Sequence, residues 1–413
     1  MTDILIVGGG AVGITIARSL SRALPPSAKI TLLEKEPTLS EHTSGRNSGV
    51  LHAGFYYSSE SMKAQFCRVG CQMWTEYCEE RGLPIRKCGK LVVPKNEIEI
   101  EYMHDLYKQG LKNGVKLEMI TAEEARKIDP MVKGYGKEFI WSPTTSVVNS
   151  KALVKQMAED LSQNPNIEIK TGVSFISDKS ILSHTGGLHS IALSSGDTLQ
   201  AKYFINAAGQ QSLSLAHAQG IGLDFDFFPL KGIYTISDQK LDHIYKTLVY
   251  PVPIRGAPFL GVHSTLTVDG YVKMGPTVAP AFSLENYSGL ENLRWGEVAN
   301  IMGNYTRMLF NGEQRKLIWA FITQEMPKMS IGKITRDVSQ IHKMNRSDFT
   351  RFYRPGIRAQ LVHKNTLKLH NDFILDFSNK GQLHVLNLVS PGFTCSLPFA
   401  DHIAKEMQVQ GLI

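Results

Sequence analysis

Three glycines and one acidic residue are spaced as in proteins that bind a dinucleotide. The glycines follow an apolar run near the start of the chain, and Glu34 ends a second apolar run about 20 residues later. In this pattern the glycines permit a tight strand-to-helix turn, close approach of a pyrophosphate and close helix packing, while the acid accepts hydrogen bonds from a ribose. The backbone expected to face the phosphates at the helix N-terminus comprises Gly8, Gly10, Ala11, Val12 and Gly13.

The residues around these glycines predict a strand, a helix and a second strand. Apolar residues recur every four positions from Val12 to Leu24, which is typical of one helix face, and Pro25-Pro26 predicts the helix end. Apolar periodicity predicts further helices over 61–82, 97–114, 150–161 and 291–310. Strands are predicted over 4–7, 30–33, 90–94, 167–169, 173–177, 188–193, 203–205 and 383–389. A last helix is expected to be capped by Ser396, with Pro398 in its first turn.

Composition limits the class of protein. The chain has 413 residues, of which 42% are hydrophobic and 20% charged, as in ordinary globular proteins. No apolar run approaches the ~18 residues of a membrane span, and the first strand begins too early for a leader, so we expect a cytoplasmic protein. Five cysteines without metal-ligand spacing predict reduced thiols and no metal site.

A net charge of +7 favours anionic partners. No dense basic block is interleaved with aromatic residues, which argues against nucleic acid, while the charge is compatible with a small anionic substrate such as a carboxylate. A peripheral contact with the inner face of the cytoplasmic membrane stays open, as does the oligomeric state.

Several small-residue segments favour FAD over NAD. An extended two-part cofactor needs close backbone approach along its length, and a late helix N-terminus would stabilise negative charge on a reduced flavin. Besides the glycine turn and Glu34, the expected cofactor contacts are Lys35, Thr43, Ser44, Asn47, Ser48, Gly49, Val173, Ala207, Ala208, Gly209, Pro391, Gly392, Phe393 and Thr394.

These segments and several others resemble a known protein family, and the resemblance covers nearly the whole chain. The matching stretches are 6–13, 33–36, 44–57, 88–91, 250–253, 259–263, 275–276 and 356–360. They resemble the L-2-hydroxyglutarate dehydrogenase/oxidase family, within the D-amino-acid-oxidase-like superfamily of FAD oxidoreductases. The chain differs in having Arg46 where that family has histidine, and residues 390–393 are closer to the wider superfamily.

The resemblance implies a fold and a reaction. The fold is α/β, with a Rossmann-like FAD-binding domain and a second β-rich (α+β) substrate domain, both discontinuous. The expected FAD-binding domain comprises 1–90, 145–213 and 340–413, and the substrate-binding domain 91–144 and 214–339. The reaction is oxidation of L-2-hydroxyglutarate to 2-oxoglutarate by hydride transfer to flavin N5, with electrons passed to oxygen or a quinone.

The resemblance also suggests site residues. His52 and His263 are the expected catalytic pair, one of which accepts the hydroxyl proton; the sequence does not say which. Such a base works best with a pKa near neutral. Arg358, whose planar fork suits a carboxylate, is expected to bind substrate and also to contact the cofactor. Lys231, which could bind the second carboxylate or lie near the flavin, and Tyr57 are the other expected substrate-binding residues. Weaker candidates are Arg46 and Arg255.

Two alternatives stay open at this point. The same fold could oxidise an amino acid, a methylated amine or glycerol 3-phosphate, since fold does not fix function. A protein of another class, a non-catalytic or RNA-associated flavoprotein, would use the basic surface and show steeply salt-dependent RNA binding.

Overall fold

A computed structural model describes residues 1–175, 183–185, 187–253, 261–326 and 329–413. These residues form two compact units. The first unit comprises residues 1–45, 150–228 and 358–413; the second comprises 46–149 and 229–357. The division differs from the predicted domain boundaries chiefly at residues 46–90, which were expected in the first unit and lie in the second.

The α-helices are numbered in chain order. They are α1 (Ala11–Ala23), α2 (Met62–Glu80), α3 (Glu97–Lys112), α4 (Ala122–Ile128), α5 (Ser150–Leu161), α6 (Ser212–His217), α7 (Trp295–Phe310), α8 (Arg315–Ala320), α9 (Ile331–Val338) and α10 (Gly392–Val409). A π-helical turn over Phe321–Glu325 follows α8.

The strands are numbered in the same way. They are β1 (Thr2–Val7), β2 (Ile30–Leu33), β3 (Val50–Leu51), β4 (Ile85–Arg86), β5 (Lys90–Val93), β6 (Glu118–Thr121), β7 (Glu138–Ser142), β8 (Ser146–Val148), β9 (Ile167–Lys170), β10 (Ser183–Thr185), β11 (Leu188–Ala192), β12 (Thr198–Asn206), β13 (Phe225–Ile236), β14 (Leu248–Pro251), β15 (His263–Leu266), β16 (Val272–Pro280), β17 (Arg351–His363), β18 (Ile374–Asp376) and β19 (Gln382–Leu386).

The first unit has a Rossmann-like sheet. Strands β9, β2, β1 and β12 are parallel neighbours, β19 pairs with β12 in parallel, and β11 and β10 extend the β12 edge in antiparallel. Helix α1 packs against α10 and α5, and its buried face includes Ile16 and Leu20, two residues of the predicted apolar stripe. Because parallel strands place their carboxyl ends at one edge, the loops after β1, β2 and β12 are neighbours.

The second unit is built on a mixed sheet with the order β17-β13-β16-β15-β14-β5-β7-β6. Of β17 and β13, residues 351–357 and 229–236 belong to this unit, and the remaining residues of both strands belong to the first. Strand β5 lies inside this sheet, parallel to β14 and antiparallel to β7. Alternate side chains of a strand point to opposite faces. Leu91 and Val93 therefore join one apolar cluster with Phe139 and Val249, while Val92, and with it Lys90, faces the other side. Each face of this sheet carries its own core.

Two of the predicted element ends differ from the structure. The strand predicted over 383–389 ends at Leu386, because Asn387 adopts a left-handed backbone with φ of 55°. The last helix begins at Gly392 instead of after Ser396, whose hydroxyl donates to the Phe393 carbonyl, so Pro398 lies inside the helix. Packing of α10 against α1 outweighs the cost of an internal proline.

One predicted strand is present only in part. Of the residues 173–177, Phe175 forms an isolated bridge with Leu193, and residues 176 and 177 lie outside the described residues. The other predicted strands and helices are confirmed, with ends that shift by a few residues.

Candidate cofactor and substrate sites

The glycine turn of the first unit has the geometry that the spacing predicts. Gly8 has φ of +119°, and a Cβ there would lie 2.2 Å from the Ala207 carbonyl oxygen. A Cβ at Gly13 would lie 1.9 Å from the Gly8 carbonyl oxygen. No side chain fits at either position, so the turn can close tightly and α1 can begin directly above β1.

The second glycine has a different environment. A Cβ at Gly10 would meet only the Ser44 hydroxyl, at 2.9 Å, and that hydroxyl accepts a hydrogen bond from the Ala11 amide at 2.8 Å. The absence of a side chain at Gly10 thus leaves room for the Ser44 hydroxyl beside the N-terminus of α1, whose positive dipole end would favour a pyrophosphate.

Glu34 stands at the end of β2, where a ribose acceptor is expected. Its carboxylate accepts hydrogen bonds from the amides of Gly9, at 2.8 Å, and Glu36, at 2.9 Å. Each carboxylate oxygen can accept a second bond, so Glu34 can hold the loop and still accept from a ribose hydroxyl. The glycine turn, the α1 terminus and this carboxylate together fit the adenosine half of FAD.

Most of the other predicted cofactor residues of the first unit lie near this turn or at a helix start. The Val173 amide donates to the Glu34 carbonyl at 3.0 Å, and the loop of Ala207, Ala208 and Gly209 follows β12 beside Gly8. Lys35 forms an ion pair with Glu36 at 2.6 Å. The remaining positions are Thr43, in the turn that contains Ser44, and Pro391, Gly392, Phe393 and Thr394, at the start of α10.

Three predicted cofactor residues belong to the second unit and lead into β3. The Asn47 side chain accepts a hydrogen bond from the Gly49 amide at 2.8 Å, and the Ser48 hydroxyl accepts one from Val50. Gly49 has φ of +79°, and a Cβ there would lie 2.5 Å from the Val148 carbonyl oxygen. These bonds fix the start of β3 and, with it, the position of His52.

The structure brings the two predicted catalytic histidines together in the second unit. His52 follows β3 and is half-buried, and the Cys67 thiol donates to its carbonyl. His263 begins β15, is 4% exposed, and stacks on the Tyr250 ring with centroids 3.7 Å apart. Its Nδ1 lies 3.0 Å from the Gly261 carbonyl oxygen, which holds the proton on Nδ1 and leaves the lone pair on Nε2.

Burial keeps both imidazoles uncharged. It lowers the pKa of His263 to about 3 and the pKa of His52 well below its ordinary value, and the positive charge of Lys90 lowers both pKa values further. The sequence predicts a base with a pKa near neutral, and the structure differs because loss of hydration disfavours the charged form of each ring. Both rings are therefore in the proton-accepting form at neutral pH.

The predicted substrate-binding residues are more dispersed. Lys231, on β13 in the second unit, is half-buried; its Nζ lies 3.3 Å from Asn286 Oδ1, and burial lowers its pKa. The Tyr57 carbonyl accepts from the side chains of Gln109 and Asn113, both at 2.9 Å. Arg358 is half-buried on β17, in the first unit.

Of the two weaker arginine candidates, only Arg46 lies within the described residues. The Arg46 guanidinium lies over the Tyr287 ring, 3.9 Å from its centroid, which is a packing role. Arg255 lies outside the described residues, as does most of the matching stretch between Tyr250 and His263.

Sequence reasoning missed one charged side chain beside the histidines. Lys90 is fully buried on β5, and its Nζ lies 4.5 to 4.8 Å from the ring centroids of Phe55, Tyr56 and Tyr250. Its signal was a lysine at the start of an otherwise apolar buried strand, where a charge is rare unless it is paired.

Comparison with known proteins decides the family. A family model described as FAD dependent oxidoreductase (DAO) matches residues 3–406. The chain belongs to this family of FAD-dependent oxidoreductases. The cofactor of the enzyme is therefore FAD, and the α/β fold class predicted from the sequence is confirmed.

Relatives of this flavoenzyme carry the name that the sequence motifs suggested. The mitochondrial L-2-hydroxyglutarate dehydrogenase of Mus musculus is 32% identical, over 97% of this chain and 87% of its own. The L-2-hydroxyglutarate dehydrogenase of Escherichia coli strain UMN026 is 30% identical, over 99% of this chain and 93% of its own. The resemblance stated from the motifs is confirmed.

Solved structures share the fold of the flavoenzyme. L-alpha-glycerophosphate oxidase from Mycoplasma pneumoniae, with FAD bound, aligns with a TM-score of 0.75 and 22% identity, over 98% of this chain and 94% of its own. Glycine oxidase from Geobacillus kaustophilus aligns with a TM-score of 0.68 and 17% identity, over 98% and 93%. In the described part of the chain, every helix is too short or too polar to cross a membrane.

Proposed function

We propose that this flavoenzyme oxidises L-2-hydroxyglutarate to 2-oxoglutarate. The observation that carries the proposal is the near full-length similarity to enzymes named for that substrate, at 30–32% identity. Two uncharged imidazoles in the second unit can act as the proton acceptor that oxidation of a hydroxy acid needs. The alternative substrates of the wider fold rest on likeness below 25% identity, which supports the fold alone.

The chemistry divides between the cofactor and the histidines. FAD, when bound, supplies the acceptor at N5 for the hydride that leaves the substrate α-carbon. The hydroxyl proton goes to an imidazole, and His263 is the better base because its Nδ1–H donates to Gly261 and its Nε2 lone pair is available. Stacking on Tyr250 holds this ring in place. His52 then positions the hydroxyl or the adjacent carboxylate.

Gly8, Gly10, Gly13 and Glu34 are proposed to hold the ADP half of FAD. Gly10→Val fills the space beside the expected pyrophosphate and displaces Ser44, so the purified variant should carry little flavin. Gly303→Val is the matched control, because a Cβ there meets nothing within 4 Å. Full flavin occupancy in Gly10→Val would remove this turn from the FAD site.

Arg358 is proposed to bind a substrate carboxylate, since its guanidinium can engage one with two parallel hydrogen bonds. Arg358→Ala should weaken binding by roughly 1.5–3 kcal/mol, about one to two decades in KM. Arg358→Lys should be impaired as well, because a point charge does not reproduce the fork. Unchanged kinetics in both variants would exclude Arg358 from the substrate site.

A substrate panel tests the proposed reaction. The yellow holoenzyme is mixed anaerobically with L-2-hydroxyglutarate, glycerol 3-phosphate, sarcosine, glycine and proline, and flavin absorbance is followed. L-2-hydroxyglutarate should bleach the flavin fastest by a wide margin. Fast bleaching by an amine or by glycerol 3-phosphate instead would replace the proposed substrate.

We also propose that the enzyme contacts a membrane surface peripherally, where a quinone would be available as electron acceptor in addition to oxygen. Helix α7 exposes Trp295, Met302 and Leu309 at two-turn intervals on one face, and Phe310 is 84% exposed. The following residues add Trp319 and Ile322, both exposed, and basic Arg315 and Lys316. An apolar helix face beside basic residues suits an anionic bilayer interface.

Vesicle sedimentation tests this surface. The enzyme should pellet with vesicles that contain phosphatidylserine, and the double variant Trp295→Ser, Phe310→Ser should bind at least about tenfold more weakly. Leu223→Ser, at an exposed leucine of the first unit, is the control and should bind like the parent. Equal binding by all three proteins, or none by the parent, would refute the proposed surface.

A further inference from the structure

Lys90 is a buried cation whose charge has no anionic partner in the described part of the second unit. Its side chain is fully buried, and its Nζ makes no hydrogen bond to any described residue. The titratable groups close to its charge are Cys67 and Cys71 of α2, His52 and Tyr56 near β3, Tyr250 of β14 and His263 of β15. On β7, its partner in the strand pairing is the uncharged Ser142. Thiols, phenols and these imidazoles are uncharged at neutral pH.

Aromatic rings alone do not account for a lysine at this position. Three ring faces at 4.5 to 4.8 Å stabilise an ammonium, but far less than an ion pair does in a buried site. A leucine or methionine would fill the same space on β5 without the cost of a buried amine. A buried lysine becomes favourable when an anion binds beside it, because the attraction between the two charges is strong where water is excluded.

We propose that Lys90 supplies the positive charge that a carboxylate of the ligand requires when it binds at His52 and His263. The inference rests on the proposed function, which places a dicarboxylic hydroxy acid at these histidines. Lys90 of β5 thereby becomes part of the substrate site, where it recognises ligands that carry a carboxylate.

A change of protonation follows from this placement. Burial lowers the pKa of Lys90 to about 7, so above that pH the amine of the free enzyme is largely neutral. A bound carboxylate favours the ammonium and raises its pKa. Ligand binding should therefore take up close to one proton, and affinity should fall by about tenfold for each pH unit above about pH 7.

Glutarate is the probe, because it has both carboxylates and lacks the hydroxyl that is oxidised. Binding to the holoenzyme is followed by the flavin absorbance change between about pH 6 and 9, and proton uptake by an indicator dye in weak buffer. Lys90→Met should bind weakly at every pH and take up no proton. Lys90→Arg, always charged, should bind without that pH dependence. Lys116→Met, at an exposed lysine of the same unit, should behave like the parent.

Several results would overturn the inference. These are pH-independent glutarate binding in the parent, proton uptake that persists in Lys90→Met, or no glutarate binding at any pH. The parent measurements decide the matter even where a variant does not fold. Flavin bleaching by L-2-hydroxyglutarate is scored separately: bleaching without proton-linked glutarate binding removes only the role of Lys90, whereas proton-linked binding without bleaching removes only the proposed reaction.

Discussion

Two buried polar clusters lie on opposite faces of the same sheet and differ in how their charges are satisfied. His263 and Ser264 are neighbours on β15, so their side chains point to opposite sides. On one side His263 stacks on Tyr250 close to Lys90, which has no anionic partner among the residues that the structure describes. On the other, Ser264 Oγ lies 2.6 Å from His342 Nδ1, and His342 Nε2 lies 3.3 Å from Asp129 Oδ1.

The second cluster has an anion at its centre that the fold itself holds in place. The Asp129 carboxylate also accepts from the amides of Met131, Lys246 and Thr247, at 2.8 to 3.2 Å. Burial acts to raise the pKa of Asp129, but the His342 contact and these amides outweigh it and leave the pKa below its ordinary value. Serine, histidine and aspartate are the residues of a nucleophilic triad, but all three are fully buried here. Ser264 is hydrogen-bonded to His342 Nδ1 and backbone amides hold Asp129, while His342 Nε2 approaches the carboxylate without forming a hydrogen bond, which indicates a role in the fold.

The comparison shows what an incomplete cluster signifies. A network whose groups bind one another makes a core rigid. A buried charge without a counter-charge lowers the free energy of unfolding, and binding of an oppositely charged ligand offsets that loss. The Asp129 cluster should therefore respond to substitution in stability, and the Lys90 cluster in chemistry and binding.

The largest expected difference separates the two histidines. His263→Gln should slow anaerobic flavin reduction by roughly 10²–10⁴-fold and leave FAD bound, because a general base contributes about that much. His342→Gln should reduce flavin at nearly the parental rate and unfold at a lower temperature. Stopped-flow absorbance and thermal unfolding of both variants check this. An unimpaired His263→Gln would show that another group or a water accepts the proton.

A smaller effect is expected in stability at Asp129. Asp129→Asn keeps the shape but removes the charge that three backbone amides and the neighbouring His342 ring stabilise, and should lower the free energy of unfolding by about 3–5 kcal/mol. Denaturant unfolding of the holoenzyme measures it. The Asp129 contribution is present above the ordinary carboxylate pKa and is lost as pH falls through the folded value, so the variant and the parent should converge in acid. A loss below about 1 kcal/mol would mean that this network does not support the sheet.

The smallest effect concerns the pH dependence of stability at Lys90. Its folded pKa of about 7 lies below the ordinary 10.5, so between these pH values the unfolded state binds more protons and stability rises with pH. Titration of Lys90 should raise the free energy of unfolding by up to about 1.4 kcal/mol for each pH unit in this range. The Lys90→Met variant should lack this pH dependence. Unfolding midpoints of both proteins across that range show the slope. Parallel curves would indicate that Lys90 titrates normally.

The sequence predicts those parts of the molecule whose geometry depends on residues that are close together in the chain. The glycine turn, Glu34 and the α1 stripe lie within one short segment, so spacing alone specifies the site. His52 and His263 came from a family resemblance, and the structure places them together.

Lys90 could not be predicted in this way. Its surroundings depend on the register that pairs Lys90 with Leu248 and sets Tyr250 on the same face two residues later. Its cage also needs Phe55 and Tyr56, from the loop after β3. Nothing in the local sequence of β5 encodes those partners, because sheet register is decided by long-range packing.

Anaerobic reduction by the two enantiomers of 2-hydroxyglutarate tests the central claim most directly. The holoenzyme is titrated with each enantiomer, flavin absorbance is followed to completion, and the keto acid formed is quantified. The L-enantiomer should bleach the flavin completely and yield one 2-oxoglutarate for each flavin reduced, and the D-enantiomer should leave the flavin oxidised on that timescale. A flavin that stays yellow with the L-enantiomer, or bleaches equally with both, would contradict the assignment of this chain as an L-2-hydroxyglutarate dehydrogenase.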